Sequence, residues 1–153
     1  SKFNFFVIRM KKNKTIFIAM GGADHSNINI DILNVVNKVR KKNKKNIKIN
    51  IVSTNANKNL EKLKDYCKNK KWINLHINSK QIAKLMSESD FAIVTPSVTV
   101  NEVYYLELPI IAIKTAENQI DMYEFLKKHK YPVLNKFKKE KLKKALKKLL
   151  KEK

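Results

Sequence analysis

Three short stretches of the sequence contain residues whose types suit the binding of a phosphate or a sugar. In the first, Gly21 and Gly22 are adjacent, and they are the only glycines of the 153 residues. Glycine lets the backbone approach a phosphate closely and adopts positive φ angles readily. A helix that begins after the pair would add free N–H groups and the positive end of its dipole. The pair therefore predicts either a ligand-binding turn or a tight strand-to-helix turn that binds nothing.

The second stretch, residues 95–102, has a hydroxyl-rich turn followed by an acid. The hydroxyls of Ser97 and Thr99 lie beside a helix predicted to start near Val98, an environment suited to a diphosphate. An ionised Glu102 could accept hydrogen bonds from two neighbouring hydroxyls, as a ribose presents them. Alternatively, Ser97 only caps the helix and Glu102 only complements its dipole.

The third stretch, residues 116–119, is polar and follows a predicted strand, so it is either a helix cap or a ligand contact. Few residues suit catalysis. His25, His76 and His129 lack metal-ligand spacing, and Cys67 falls on the apolar stripe of a predicted helix. We therefore expect no metal and no cofactor.

The composition bounds the class of protein. Apolar residues make up 43%, enough for the core of one domain, and the formal net charge is +21. All the basic residues except Arg9 and Arg40 are lysines, and asparagine is also abundant, which indicates a compositional bias rather than specific nucleic-acid binding. One cysteine and no long apolar run predict a cytoplasmic protein without integral membrane contact. A non-enzymatic polyanion-binding protein stays an alternative.

Short apolar segments alternate with amphipathic ones, which is typical of βα units around a parallel sheet. Such a sheet binds ligands at the carboxyl ends of its strands, where all three polar stretches fall. The fold class predicted is therefore α/β, with a Rossmann-like doubly wound parallel sheet. The predicted strands cover residues 15–19, 47–52, 72–77, 90–94 and 110–113.

Four local expectations accompany this assignment. The basic block 38–48 should be a solvated loop, and Ser79 should cap a helix that turns Ala83 inward together with Ile82, Leu85 and Met86. The segment 131–134 is ambiguous. The leucine stripe of the last helix should dock on its own domain rather than lie on an anionic membrane.

Residues 1–13 are expected to be a linker or the tail of a preceding domain, although residues 3–8 could instead form an edge strand. Residues 14–136 would form one Rossmann-like domain, and 137–153 an amphipathic helix packed on it.

Several motifs, in this order, resemble one known family. They are M-G-G-A-D at 20–24, N-K-N-L at 57–60, I-A-K-L-M-x-x-S-D at 82–90, P-S-x-x-x-N-E at 96–102, L-P at 108–109 and N-Q at 118–119. The chain is similar to the C-terminal half of a GT-B-type protein, above all the UDP-sugar hydrolase of pseudaminic acid biosynthesis, a relative of the MurG glycosyltransferase. The likeness runs from about Thr15 to Leu126, and it implies that residues 14–136 form a nucleotide-sugar-binding domain.

The resemblance implies a function. The family hydrolyses UDP-2,4-diacetamido-2,4,6-trideoxy-β-L-altropyranose to UDP and the free sugar without a metal. Its catalytic base is a histidine of the N-terminal half, so this segment would contain no catalytic residue and be inactive without an N-terminal GT-B domain. The UDP-sugar ligand would be held by Gly21, Gly22, Asp24, Ile77, Ser97, Val98, Thr99, Asn101, Glu102 and Gln119.

Within that implied site, the Gly21-Gly22 and Ser97 turns would face the diphosphate and sugar. Glu102 would take the ribose, the backbone near Ile77 would border the uracil, and Gln119 would lie near the sugar. The family's transferases have G-G-S-x-G-A and R-S-G motifs where this chain has Gly-Gly-Ala-Asp and Thr-Pro-Ser. The hydrolase pattern has two small residues where this chain has Pro96 and Ser97, so a MurG-like UDP-sugar transferase remains an alternative.

Overall fold

The computed structural model describes residues 13–43, 46–97 and 107–150. Within these ranges the chain alternates strands and helices. The strands are β1 (Asn13–Ala19), β2 (Asn46–Ser53), β3 (Ile73–Ile77), β4 (Phe91–Val94), β5 (Ile110–Ile113) and β6 (Val133–Leu134). The helices are α1 (Asn29–Asn43), α2 (Leu60–Cys67), α3 (Ile82–Ser87), α4 (Ile120–Lys128) and α5 (Lys139–Leu150), with a 3₁₀ turn at Glu117–Gln119.

All described strand pairs are parallel, and the order across the sheet is β3-β2-β1-β4-β5-β6. This is the strand order of a Rossmann-like doubly wound sheet, in which the direction of winding reverses between β1 and β4. The predicted fold class is confirmed. A crevice is expected at that reversal, between the loops that follow the two strands.

Both faces of the sheet are covered. Alternate residues of β1 point to opposite faces, because side chains alternate along a strand. Ile16 and Ile18 join one buried cluster, whereas Phe17 and Ala19 join the other. The first cluster includes buried residues of α1, α2 and α5, and the second includes residues of α3 and α4.

The last helix packs on the same domain as the sheet. The leucine stripe of α5 faces α1 and the first cluster. The leucines of this stripe are almost completely buried: Leu142, Leu146, Leu149 and Leu150. None of the described helices has the length and apolar character needed to cross a membrane.

The basic block 38–48 is not a solvated loop, so that expectation was wrong. Helix α1 continues to Asn43, and β2 begins at Asn46. Lysine is a good helix former whose long stem keeps the ammonium group in water, so a run of lysines does not end a helix. The same solvation lets Lys48 stand exposed in β2 between the buried Ile47 and Ile49.

The start of α3 also differs from the prediction. The N-cap residue is Gln81, not Ser79, and it makes no capping bond with its side chain. The Ser79 hydroxyl instead accepts a hydrogen bond from the Gln81 N–H at 3.1 Å, in the turn before the helix. Leu85 and Met86 are buried as expected, but Ala83 is exposed, because it lies about 100° round the helix from the inward direction.

The ambiguous segment 131–134 contains the edge strand β6, which pairs with β5. The structure therefore has one strand more than the five predicted. The helix predicted from Val98 to Leu106 lies outside the described residues.

Candidate functional site

Gly21 lies in the turn after β1 and needs to be glycine for its backbone angle. Its φ is +86°, in the left-handed region that residues with a side chain adopt at a cost. A Cβ atom added at Gly21 would meet no atom of the described residues within 4 Å. The backbone is thus open on this side, as a turn that receives a ligand must be.

Gly22 is explained by packing instead. Its carbonyl oxygen accepts hydrogen bonds from the Thr54 N–H at 3.0 Å and from the Ser53 hydroxyl at 3.2 Å. A Cβ atom at Gly22 would lie 2.5 Å from Cγ2 of Thr54, closer than carbon atoms can approach. The second glycine therefore lets the turn after β1 and the end of β2 come together.

Asp24 caps the following helix with its side chain. Its carboxylate accepts hydrogen bonds from the N–H groups of Ile28 and Asn29, both at 3.2 Å, and the residue is 2% exposed. Burial raises the pKa of Asp24, while the two backbone hydrogen bonds oppose that rise. The sequence had suggested free N–H groups at this helix start, but Asp24 already occupies two of them.

A pocket of about 290 Å³ opens beside the glycine turn, at the carboxyl ends of three neighbouring strands. Its lining includes Gly21 and Gly22 after β1, Ser53 and Thr54 at the end of β2, and residues that follow β3. The described lining has no charged side chain; besides those four residues it consists of Ala19, Val52, Asn78, Ser79 and Ile82. It suits a neutral polar group, such as a heterocyclic base, better than a phosphate.

Hydrogen bonds between loops hold this pocket in shape. Asn57 is buried, and its Nδ2 donates to the Ser53 hydroxyl at 3.2 Å. Asn78 has a positive φ of 54°, donates its N–H to the Ser53 carbonyl at 2.9 Å, and accepts from the Asn55 N–H at 3.1 Å. The ends of β2 and β3 are therefore fixed relative to each other before any ligand arrives.

Three predicted site residues lie at or after the carboxyl ends of β3, β4 and β5. Ile77 ends β3, paired in register with Ser53, and Ser97 lies in the turn after β4. The Ser97 hydroxyl lies 3.1 Å from that of Thr95. Gln119 follows β5, and neither it nor Ser97 lines the 290 Å³ pocket.

The side chain of Gln119 is already partly engaged. Its Oε1 atom accepts from the Thr115 N–H at 2.8 Å and lies 3.3 Å from the Thr115 hydroxyl. The Thr115 N–H can pair only with the amide oxygen of Gln119, which fixes the orientation of the amide. The Nε2 atom is therefore left for a further partner, to which it can only donate.

The four remaining predicted site residues lie outside the described residues: Val98, Thr99, Asn101 and Glu102. Their part in the site stays a prediction.

Among the described residues, groups suited to nucleophilic or metal chemistry do not gather at these strand ends. Burial raises the pKa of Cys67 to about 11, and this last residue of α2 packs against the first buried cluster. Within the described ranges, no three His, Cys, Asp or Glu side chains form a group that could hold a metal ion. His76 lies 3.1 Å from Oδ1 of Asn50, inside the sheet pairing of β2 and β3.

The sequence missed several pocket residues, namely Ser53, Thr54, Asn78 and Ser79. Hydroxyls and amides at strand ends are common, so the sequence gives no reason to prefer these four. They come close to Gly21 because β2 lies beside β1 in the sheet and β3 lies beside β2.

Comparisons with known proteins show similarity in sequence and in fold. The chain is 34% identical over 127 residues to the UDP-2,4-diacetamido-2,4,6-trideoxy-β-L-altropyranose hydrolase of Campylobacter jejuni, covering 83% of this chain and 44% of the hydrolase. The chain resembles a GT-B-type UDP-sugar hydrolase. It is also 29% identical over 119 residues to an uncharacterised protein of Methanocaldococcus jannaschii, covering 77% of this chain and 24% of that protein. No protein-family model matches the chain.

Solved structures of GT-B enzymes share the fold. The UDP-GlcNAc 2-epimerase of Methanocaldococcus jannaschii has a TM-score of 0.66 at 18% identity, covering 99% of this chain and 43% of the epimerase. WaaG, a glycosyltransferase involved in lipopolysaccharide biosynthesis, has a TM-score of 0.64 at 14% identity, covering 95% of this chain and 41% of WaaG. The chain thus spans less than half the length of these proteins and has the fold of a GT-B-like domain.

Proposed function

We propose that the chain is the UDP-sugar-binding domain of a metal-independent hydrolase that releases UDP and 2,4-diacetamido-2,4,6-trideoxy-L-altrose in pseudaminic acid biosynthesis. The 34% identity to the hydrolase of that reaction carries the proposal. It is supported by the pocket and the open Gly21 turn, which lie on the side of the sheet where Rossmann-like folds bind nucleotides.

The neutral pocket is proposed to receive the uracil. It borders Asn78 and Ser79, directly after Ile77, and its lining offers hydroxyls, amides and apolar surface without a charge. A pyrimidine base needs both kinds of contact, since it has flat apolar faces and a polar edge.

The diphosphate is proposed to lie over Gly21, towards the turn at Ser97. At Gly21 no side chain of the described residues blocks the backbone, and Ser97 adds a hydroxyl from the turn after β4. The N-terminus of α1 is a poorer place, because the Asp24 carboxylate already accepts from its first N–H groups and would repel a phosphate. The high net charge adds a general attraction for the dianion.

The catalytic base is proposed to come from an N-terminal GT-B domain, so two assays are needed. We expect this chain to bind UDP but to release no UDP from the UDP-sugar on its own. In the full-length protein, free sugar together with UDP would indicate the hydrolase, whereas sugar joined to an acceptor would indicate a transferase.

Calorimetric titration of the chain with UDP tests the binding. Glu102→Ala should weaken it by about 1–3 kcal/mol, the range for a lost hydrogen bond to a charged group. The matched control is Glu124→Ala, which removes an exposed carboxylate of α4 and should leave binding unchanged. The proposal fails if millimolar UDP gives no saturable heat, or if both variants bind as the unaltered chain does.

A further inference from the structure

A second groove, of about 810 Å³, lies on the far edge of the sheet, between β6 and α5. One wall is formed by residues 130–134 and the other by one side of α5. We call it the lysine groove after its four lysines, all exposed: Lys130, Lys141, Lys144 and Lys148. Its described lining contains no Asp or Glu, so the lysines make it a strongly positive channel.

The floor of the lysine groove is apolar and includes the edge of the sheet. Val133, Leu134, Ala145 and Leu149 contribute to its lining. Apolar surface beneath a ring of ammonium groups favours a ligand that has both apolar and acidic groups over a simple anion.

The strand in this groove can accept a new neighbour. Among the strands of residues 13–43, 46–97 and 107–150, β6 is the last in the sheet order. The carbonyl groups of Pro132 and Leu134 accept from N–H groups of β5 or the residue after it, at 3.0 and 2.9 Å. Because successive peptide groups of a strand point to opposite sides, the N–H and C=O groups of Val133 point away from β5. An extended polypeptide can use such an edge, whereas a lipid or a nucleic acid cannot.

The lysines are spaced to meet acidic side chains of such a strand. The helical rise places Lys141, Lys144 and Lys148 at steps of about 4.5 and 6 Å along α5. Side chains on one face of an extended strand repeat at about 6.6 Å, a mismatch that the flexible lysine stems can absorb.

Two other occupants fit the groove less well. A bilayer is flat, and the leucine stripe that α5 would need for insertion is buried in the core of this domain. Single-stranded nucleic acid prefers several aromatic side chains on which bases stack, whereas the floor here is mainly aliphatic.

We propose that the lysine groove binds an extended acidic segment of a partner polypeptide, which adds to the edge of β6 and sets its carboxylates against the lysines. This site lies on a different part of the sheet from the pocket at the ends of β1, β2 and β3. It does not depend on UDP binding.

Fluorescence polarisation with a labelled peptide of alternating Glu and Val tests the proposal on the full chain at physiological ionic strength. The variant Lys144→Glu/Lys148→Glu should bind the peptide about tenfold more weakly or worse, since two attractive pairs become repulsive. The control Lys41→Glu/Lys42→Glu changes the net charge equally at exposed lysines of α1, and should change the affinity less than about threefold. Circular dichroism melts check that both variants are folded.

A second peptide separates strand pairing from charge attraction. N-methylation at alternate residues keeps every carboxylate but prevents pairing with an edge, and should also weaken binding about tenfold. The proposal would be overturned if the groove variant and the α1 control lost peptide affinity equally, or if N-methylation left the affinity unchanged. So would loss of single-stranded RNA or phosphatidylglycerol-vesicle binding in the groove variant while peptide binding persists.

Discussion

Gly22→Ala should destabilise the domain by a collision that can be identified and relieved. The new methyl group would lie 2.5 Å from Cγ2 of Thr54, 2.9 Å from its hydroxyl oxygen and 3.3 Å from its Cβ. The turn is also tied to Thr54 through a backbone hydrogen bond of 3.0 Å, so neither side can move freely. Overpacking of this kind costs about 1–3 kcal/mol of the free energy of unfolding.

Thr54→Ala provides the matched rescue. It removes the two atoms nearest to the new methyl and leaves only Cβ, at a tight but tolerable distance. On its own it loses the hydroxyl that accepts from the exposed Ala56 N–H, worth about 0.5–1 kcal/mol. The double variant with Gly22→Ala should therefore be more stable than the sum of the single effects by about 1 kcal/mol or more.

Urea denaturation followed by circular dichroism measures all four proteins. Gly21→Ala is the comparison at the neighbouring position, where no atom lies within 4 Å and only the positive φ opposes a side chain, at about 1–2 kcal/mol. Unlike Gly22→Ala, the Gly21→Ala variant should recover no stability when it is combined with Thr54→Ala. The reasoning is refuted if Gly22→Ala is as stable as the unaltered chain, or if its effect and that of Thr54→Ala simply add.

Three further predictions follow from buried groups. Asn29 is 2% exposed, and neither polar atom of its carboxamide has a hydrogen-bond partner among the described residues. Asn29→Leu should therefore raise the free energy of unfolding by about 1 kcal/mol. A lower free energy of unfolding in urea denaturation would contradict this. Burial raises the pKa of the Asp24 carboxyl above 3.8, so the folded state binds the carboxyl proton more tightly than the unfolded state does. The contribution of Asp24 to the free energy of unfolding therefore falls as the pH rises from 3.8 through the raised pKa. The stability of the unaltered chain relative to Asp24→Asn should thus decline over that window, and a constant difference would show that the pKa is not raised. Cys67 should react with iodoacetamide at pH 8 about a hundredfold more slowly than an exposed thiol, because its pKa is about 11; equal rates would contradict its burial.

Much of the fold could be predicted because its strands are buried on both faces. The β5 strand at 110–113 is a continuous apolar run after a proline, and the structure places it at those residues. Parallel strands of this kind read directly as short β-branched segments. β6 was harder, because its two residues carry too short a pattern to distinguish a strand from a loop.

Errors arose where a local pattern competes with solvation or with helix geometry. The sequence predicts a solvated loop for the basic block 38–48, but residues 38–43 extend α1 because their charged ends reach water. Ala83 is apolar and helical yet exposed, since α3 has only six residues and one inward stripe.

The sequence predicts where the glycine turn lies, but not how the residues of the candidate site are arranged. Two adjacent glycines predict a turn, but the sequence does not say which of the two positions requires glycine, or why. The structure shows that Thr54 packs closely against Gly22, whereas the backbone at Gly21 is open towards the described residues. The same holds for Asp24, since its role as a cap depends on where its carboxylate points. Asn78 lines the pocket because β3, which precedes it, lies next to β2 in the sheet, and β2 is distant from it in sequence.

Backbone-amide NMR during a titration with UDP tests the central claim most directly, because it reports where the ligand binds as well as whether it binds. We expect saturable shifts at Gly21, Gly22 and Ser79, which line the pocket and its turn. Shifts confined to Lys144 and Lys148 would instead indicate attraction of the diphosphate to the lysine groove. That result, or the absence of any saturable shift at millimolar UDP, would contradict a nucleotide site at the carboxyl ends of these strands.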